Sequence, residues 1–429
     1  MRVKLSRFAH EFRKKDKIAL YHSVFLETLY SDLSIPPLLT QLKEGIEHEK
    51  IKDKDLLQKL FDVGLIVEES LDEMQLLEII KQQTTKAQKI GLLYLLPTDD
   101  CNFRCKYCFI RKSTNWMNKE TCKNALDYFF EVSHPEGREV ILYGGEPLLN
   151  WEICKLAVEY TKAKDNRTDV RVVTNGFLVD NEIATFLARF GAKASVSIDG
   201  PEEINDSMRR DLNNKGTFEK ALKGYNLLKD NGIDCGISCT ISTHNINVLP
   251  EITEWICVKL QPTSLGFNIP IVSKESPLHI DSNLLAEKLI KCFEICKTYG
   301  IYEDRVGRKV INWVKKEIYP SDCAGIGCQV VITPDGKIGP CHAFIGTGKY
   351  FREKWNIEED ENFKEFANRY PFNMQECYDC EALGICGGGC PYRAYLNYRS
   401  IWKLDEDHCT FAKKLLEHMI WESYEKINL

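Results

Sequence analysis

Leu92-Leu93-Tyr94-Leu95-Leu96 is an apolar run of strand length, and a few residues on stands Cys101-Asn102-Phe103-Arg104-Cys105-Lys106-Tyr107-Cys108-Phe109, three thiols on one short loop. Outward from this pair the same alternation of strand and helix continues. Candidate strands lie at Val140–Tyr143, Val170–Thr174, Ala194–Ile198, Gly236–Ile241 and Ser264–Ile269. Helix-length segments separate them at Lys119–Val132, Trp151–Lys164, Asn181–Phe190, Phe218–Asn231 and Leu249–Leu260. Successive βα units predict an α/β fold, a parallel sheet with helices outside, over residues 90–300. In such folds the functional loops follow the C-terminal ends of strands. The unusual residues sort to those places: Cys101 after the first strand, Gly144-Gly145-Glu146-Pro147 after the second, Asn175-Gly176 after the third and Asp199-Gly200 after the fourth.

The thiols carry the chemistry. The chain has 429 residues and 18 cysteines, with no secretory h-region behind its basic start (Arg2, Lys4, Arg7, Arg13, Lys14, Lys15, Lys17). A cytoplasmic chain keeps thiols reduced, so clustered cysteines point to metal or redox work. Three thiolates on one loop suit three irons of a [4Fe–4S] cluster and leave the fourth iron open. They also suit most of a zinc site with a fourth ligand elsewhere. A second set follows the strand–helix region: Cys323, Cys328, Cys341, Cys377, Cys380, Cys386, Cys390 and Cys409. Eight thiols suffice for two four-cysteine zinc sites or two cubane clusters, and spacing alone does not choose. The remaining cysteines (Cys122, Cys154, Cys235, Cys239, Cys257, Cys292 and Cys296) fall on predicted helices and strands and read as small core residues.

Composition narrows the classes. Apolar residues at 44% and charged residues at 28% describe a globular chain with large cores. A net charge of −6 gives no basic field for nucleic acid, and no apolar run reaches membrane-spanning length. The tail from Phe411 places Leu415, Leu416, Met419 and Ile420 on one helical face, a docking helix.

Cys-x3-Cys-x2-Cys with Tyr107 before its third cysteine, together with the Gly144-Gly145-Glu146-Pro147 loop, resembles the radical S-adenosylmethionine enzymes. That resemblance implies a partial (β/α)6 TIM-like barrel, an open iron holding the amino and carboxylate groups of the cofactor's methionine, and an external electron donor. It implies that Gly145 and Glu146 receive the methionine amino group, that Tyr107 lies near adenine, and that Ser197, Asp199 and Arg209 hold ribose and carboxylate. Asp199-Gly200-Pro201 also reads as an ordinary turn, and Arg209 or Arg210 as surface charge. The second cysteine set, with Gly336 five residues before Cys341, resembles the SPASM extension of these enzymes. It implies three [4Fe–4S] clusters in all, one auxiliary cluster on Cys323, Cys328, Cys341 and Cys390 and another on Cys377, Cys380, Cys386 and Cys409. Cys328 is the least secure of these, because some members lack a cysteine there and leave an iron open.

Three parts result: 1–85, 90–300 and a cysteine-rich 301–429. In the first, Leu20–Leu26 reads as a strand, the spacing of Leu56, Leu57, Leu60 and Phe61 as helical, and Gly64-Leu65-Ile66-Val67 as a strand. Strand, two short helices and strand suggest a winged-helix-like module, or else a cap on the main core. Similar modules in SPASM enzymes bind the leader of a precursor peptide by adding it to a sheet edge, here a sheet expected to contain Leu20–Leu26. The segment Gly339-Pro340-Cys341-His342-Ala343-Phe344-Ile345-Gly346 looks like that of thioether-forming maturases. Sulfatase-maturating enzymes place an aspartate base directly after that cysteine, where this chain has His342, a catalytic candidate or a donor to the cluster. The expectation is a maturase forming a thioether in a ribosomally made peptide. A serine or cysteine oxidase of the sulfatase-maturating type, or a metal-bearing peptide-binding scaffold without activity, are the alternatives.

Overall fold

The computed structural model describes residues 1–32, 34–87, 89–110 and 114–427, excluding the side chains of 85–87. Two small antiparallel sheets lead the chain. They are built from β1 (Arg2–Leu5), β2 (Ala9–Lys14), β3 (Lys17–His22), β4 (Thr28–Asp32), β5 (Ile46–Glu47) and β6 (Ile66–Glu68). The first has the order β5-β1-β6, and the second is the meander β2-β3-β4. Helices α1 (Pro36–Glu44) and α2 (Lys54–Asp62) fall between β4 and β6, and α3 (Met74–Ala87) follows. Asp53 starts α2 by accepting the Leu56 N–H at 2.9 Å, and Leu57 and Leu60 turn inward.

The expected strand Leu20–Leu26 is corrected here. It ends at His22, whose ring Nδ1 accepts the N–H groups of Val24 (3.3 Å) and Phe25 (3.0 Å) and turns the chain. It belongs to the second sheet, as the middle strand, so neither of its edges is open to a peptide. Its alternation has a different use. Ile18 and Leu20 enter a small core with Val3, Leu39, Leu42 and Leu60, whereas Ala19 and Tyr21 enter the main core. The Tyr21 ring lies 5.3 Å from that of Trp313. A period of two lets one strand serve both cores.

The large sheet contains the predicted strands in sequential order: β7 (Leu92–Thr98), β8 (Glu139–Gly144), β9 (Asp169–Thr174), β10 (Lys193–Ser197), β11 (Cys235–Thr240) and β12 (Ser264–Asn268), all parallel. Val140, Leu142, Val170, Val172, Ala194 and Val196 are fully buried, as expected of strands covered by helices. Lys119–Val132 and Trp151–Lys164 form as predicted. The sheet does not stop at residue 300. β13 (Tyr302–Glu303) extends it beyond β12, and β14 (Gln329–Ile332) pairs parallel with β7 and carries β15 (Ile338–Gly339). The cysteine-rich region is thereby stitched to the edge that bears the first thiol loop. The helix Glu406–Ile427 buries Leu415, Leu416, Met419 and Ile420 in the main core. No helix among the described residues is long and apolar enough to cross a membrane.

His22 is buried, and burial lowers its pKa from 6.5 to about 4, so the ring is neutral where it accepts two N–H groups. Below pH 6.5 the unfolded chain takes up a proton that the folded ring refuses until about pH 4. Stability should therefore fall through that window, by at most about 1.4 kcal/mol per pH unit for this group. The denaturant midpoint measured from pH 7 to 4 should drop less steeply for His22→Asn, whose side-chain oxygen can take the same two bonds.

Candidate functional site

The thiol loop is fixed on two sides by backbone. On one side lies the turn after β8. Glu146 donates its N–H to the Asp100 carbonyl at 2.8 Å, and Gly145 donates to that of Thr98 at 3.2 Å. A Cβ on Gly145 would lie 1.9 Å from the Asp100 oxygen, and Gly144 has φ +135, so both positions require glycine. On the other side, Arg104 donates to the Arg210 carbonyl at 2.7 Å and Lys106 to that of Met208 at 3.0 Å. Cys101 is buried, Cys105 half-buried and Cys108 exposed, and the Phe103 N–H points at the Cys101 sulfur at 3.4 Å.

Tyr107, Asp199 and Arg209, named separately in the sequence, meet in one buried group. The Arg209 guanidinium forks onto Asp199 at 2.9 and 3.0 Å, the Tyr107 hydroxyl donates to the same carboxylate, and Thr240 adds its N–H at 2.8 Å. Arg209 also lies over the Tyr107 ring, 5.4 Å from its centre. Asp199 thus anchors the group and is no plain turn residue, and Arg209, 6% exposed, is no surface charge. Arg210 stays outside, its guanidinium near the Asn214 carbonyl. Ser197 ends β10 half-buried.

Glu146 is bonded on three sides. Its carboxylate is 1% exposed and accepts from Thr174 Oγ1 (2.7 Å), the Asn175 N–H (2.7 Å) and the Leu148 N–H (3.1 Å). It ties the β8 turn to the end of β9. Burial raises its pKa from 4.5 to about 7, the three donors opposing the shift.

In the second cysteine set, sulfurs sort by mutual influence. Cys323, Cys341 and Cys390 act on one another, as do Cys377, Cys380, Cys386 and Cys409. Cys328 is tied to the main sheet: its sulfur takes the N–H of Lys89, and its carbonyl accepts from Gly91 and Leu92 at the start of β7. Burial pushes Cys323, Cys377, Cys386 and Cys409 up to about 12, so without a metal these are neutral thiols. Thiolate ligands 2.3 Å from a zinc ion stand about 3.8 Å apart. Among the described residues no three cysteine sulfurs lie within 4.8 Å of one another, a spacing wider than a single tetrahedral ion asks for. The other seven cysteines are buried, and Cys257 and Cys296 share a hydrogen bond between facing helices.

His342 lies between the two thiol regions. Its ring stacks on Tyr94 at 5.0 Å, with Tyr143 at 5.0 Å and Phe109 of the first loop at 5.9 Å. Its Nδ1 is buried without a hydrogen-bond partner, and burial lowers its pKa to about 4. Tyr143, near the end of β8, meets Tyr94 edge-on at 5.6 Å. Neither tyrosine was singled out from sequence, although an aromatic hydroxyl in the middle of Leu92–Leu96 is the available signal.

Residues 95–258 match the Radical SAM superfamily. The radical SAM cyclopropyl synthase TigE of Paramaledivibacter caminithermalis is 23% identical over 97% of this chain and 95% of its own. Among solved structures, anSMEcpe with bound AdoMet and the Cp18Cys peptide superposes with a TM-score of 0.67 at 20% identity, over 79% of this chain and 99% of its own. Streptococcus suis SuiB bound to precursor peptide SuiA gives 0.57 at 15% identity, over 95% of this chain and 100% of its own. These two likenesses establish a shared fold.

Removing Asp199 strands the buried Arg209 cation. Asp199→Ala should cost about 3–5 kcal/mol in denaturant unfolding, and the double variant Asp199→Ala, Arg209→Met should recover much of that loss.

Proposed function

Because this chain belongs to the radical S-adenosylmethionine superfamily, we propose that it matures a ribosomally made peptide and that its product carries a sulfur-to-carbon cross-link. The thioether reading is carried by His342, which follows Cys341 where sulfatase-maturating enzymes place an aspartate base, and it takes Cys328 as a non-ligand. Three protein thiolates on a cubane leave an iron position that a cysteine of the peptide can fill.

The chain's residues fit the groups this reading requires. Cys101, Cys105 and Cys108 hold the first [4Fe–4S] cluster on a loop fixed by backbone bonds. Cys377, Cys380, Cys386 and Cys409 hold a complete auxiliary cluster, and Cys323, Cys341 and Cys390 the open one. No described residue donates to the Gly145 carbonyl, which together with Glu146 we assign to the methionine ammonium. Tyr107 borders adenine, and Ser197, Asp199 and Arg209 hold ribose and carboxylate. When bound, cluster and cofactor together supply an adenosyl radical that takes hydrogen from carbon, given an electron from an external donor. The protein aligns the partners and excludes water, and Tyr94, Tyr143 and His342 wall the space between the two thiol regions. His342 stays neutral at pH 7 and offers Nδ1 to substrate. The peptide's leader joins residues 1–85 at a sheet edge, β2 or β4 of the sheet that has β3 in its middle.

Anaerobically reconstituted protein should hold about twelve irons per chain. Replacing Cys101, Cys105 and Cys108 by Ala should abolish cleavage of S-adenosylmethionine; replacing Cys377 and Cys380 should spare cleavage and lose the product.

The bond is to be read in a cysteine-containing peptide, taken from the neighbouring gene if that gene encodes one. After reduction and alkylation, a thioether leaves the peptide about two mass units light by the loss of two hydrogens, with one cysteine refusing alkylation. The same loss with every cysteine alkylated means a carbon–carbon closure, the second reading, favoured by the likeness to the cyclopropyl synthase along 97% of this chain. An aldehyde at serine or cysteine means the sulfatase-maturating reaction. An unmodified peptide overturns the thioether assignment.

A further inference from the structure

Arg369 is fully buried, and no ion pair to a carboxylate is found for it among the described residues. Its guanidinium donates only to backbone carbonyls: those of Ile401, Gly388 (2.8 Å) and Lys403 (3.1 Å). Other buried cations in the chain have acidic partners. Arg209 has Asp199, Lys309 has Asp322, and Arg393 has Asp405 at 2.7 Å. Arginine does not discharge by losing a proton, so a buried guanidinium without an anion is costly to keep.

The anions it lacks are indicated by where it sits. Gly388 lies in the run Gly387-Gly388-Gly389, which joins Cys386 of one auxiliary set to Cys390 of the other. All three glycines have positive φ (71, 80 and 67). The bond from Arg369 Nη1 to the Gly388 carbonyl therefore grips the peptide that connects the two sets. Besides Asp405, already forked by Arg393, the groups acting on Arg369 are Cys390 and Cys323 of one set and Cys377 of the other.

We propose that Arg369 is the shared counter-cation of the two auxiliary clusters and raises their reduction potentials, easing the passage of the surplus electron away from the peptide. This rests on the reading that both sets hold iron–sulfur clusters. A four-iron cluster with thiolate ligands is a net anion and becomes more negative on reduction. A fixed cation in a low-dielectric interior favours the reduced form. Lys309 near Cys386 is neutralised by Asp322 and leaves that task to Arg369.

The test compares wild type, Arg369→Gln and Arg369→Lys as full-length, anaerobically reconstituted protein, with iron and sulfide counted and the clusters titrated by EPR. A background with Cys101, Cys105 and Cys108 replaced by Ala isolates the auxiliary signals. Expected is an Arg369→Gln protein with its auxiliary iron and midpoints shifted negative by about tenfold in the reduced-to-oxidised ratio, ~59 mV for one electron. Arg369→Lys should stay near wild type. Unshifted midpoints in an iron-replete Arg369→Gln protein would overturn the proposal. If the Gln variant loses auxiliary iron, the Lys variant decides: retention at wild-type potential supports the role of charge, and loss or a shift refutes it. A wild-type chain with iron only at the first loop would instead defeat the cluster reading itself, and the proposal with it.

Discussion

Chemistry in this protein depends on one close approach of backbone to backbone. The turn after β8 lies so near the end of β7 that any side chain at Gly145 would meet the Asp100 carbonyl at 1.9 Å. That contact sets the height of the thiol loop above the sheet, and Glu146 extends the brace to β9 by accepting from Thr174 and Asn175. A carboxylate that an unbraced loop would leave to solvent is here a buried strut, its charge answered by three short dipoles. Adjacent strands in a parallel sheet end side by side, so one turn can discipline its neighbour.

The cysteine-rich region is held by the same sheet. β14 lies on the free side of β7, and the hairpin that follows brings Cys341 and His342 beside Tyr94 and Tyr143. Both thiol regions therefore take their position from β7, one from its end and one from its flank. Their separation is a property of the sheet and does not rely on a linker.

The βα alternation was legible in the sequence because period and length agreed, and helices such as Lys119–Val132 formed as written. The order of thiols was legible too, since three cysteines in one short loop have few uses. What escaped was whatever depends on partners distant in sequence. Leu20–Leu26 looked like one strand because nothing local announces that the His22 ring will accept two N–H groups and end it. That Glu146 also braces its turn was hidden because its donors, Thr174 and Asn175, lie 28 and 29 residues away. Arg369 carried no signal at all, as a lone arginine reads as surface charge.

β3 faces two cores at once, with Ile18 and Leu20 on one side and Ala19 and Tyr21 on the other. For anyone building chimaeras, the natural-looking cut near residue 85 is thus misplaced. A foreign N-terminal module joined there would bring its own second sheet, and Trp313 would lose the tyrosine it packs on. The small sheet with its helices does not travel alone either, since the meander lies between β1 and α1 in the chain and lends Ile18 and Leu20 to its core. The meander of β2, β3 and β4 belongs by its inward face to the barrel, and inheritance should treat it as barrel.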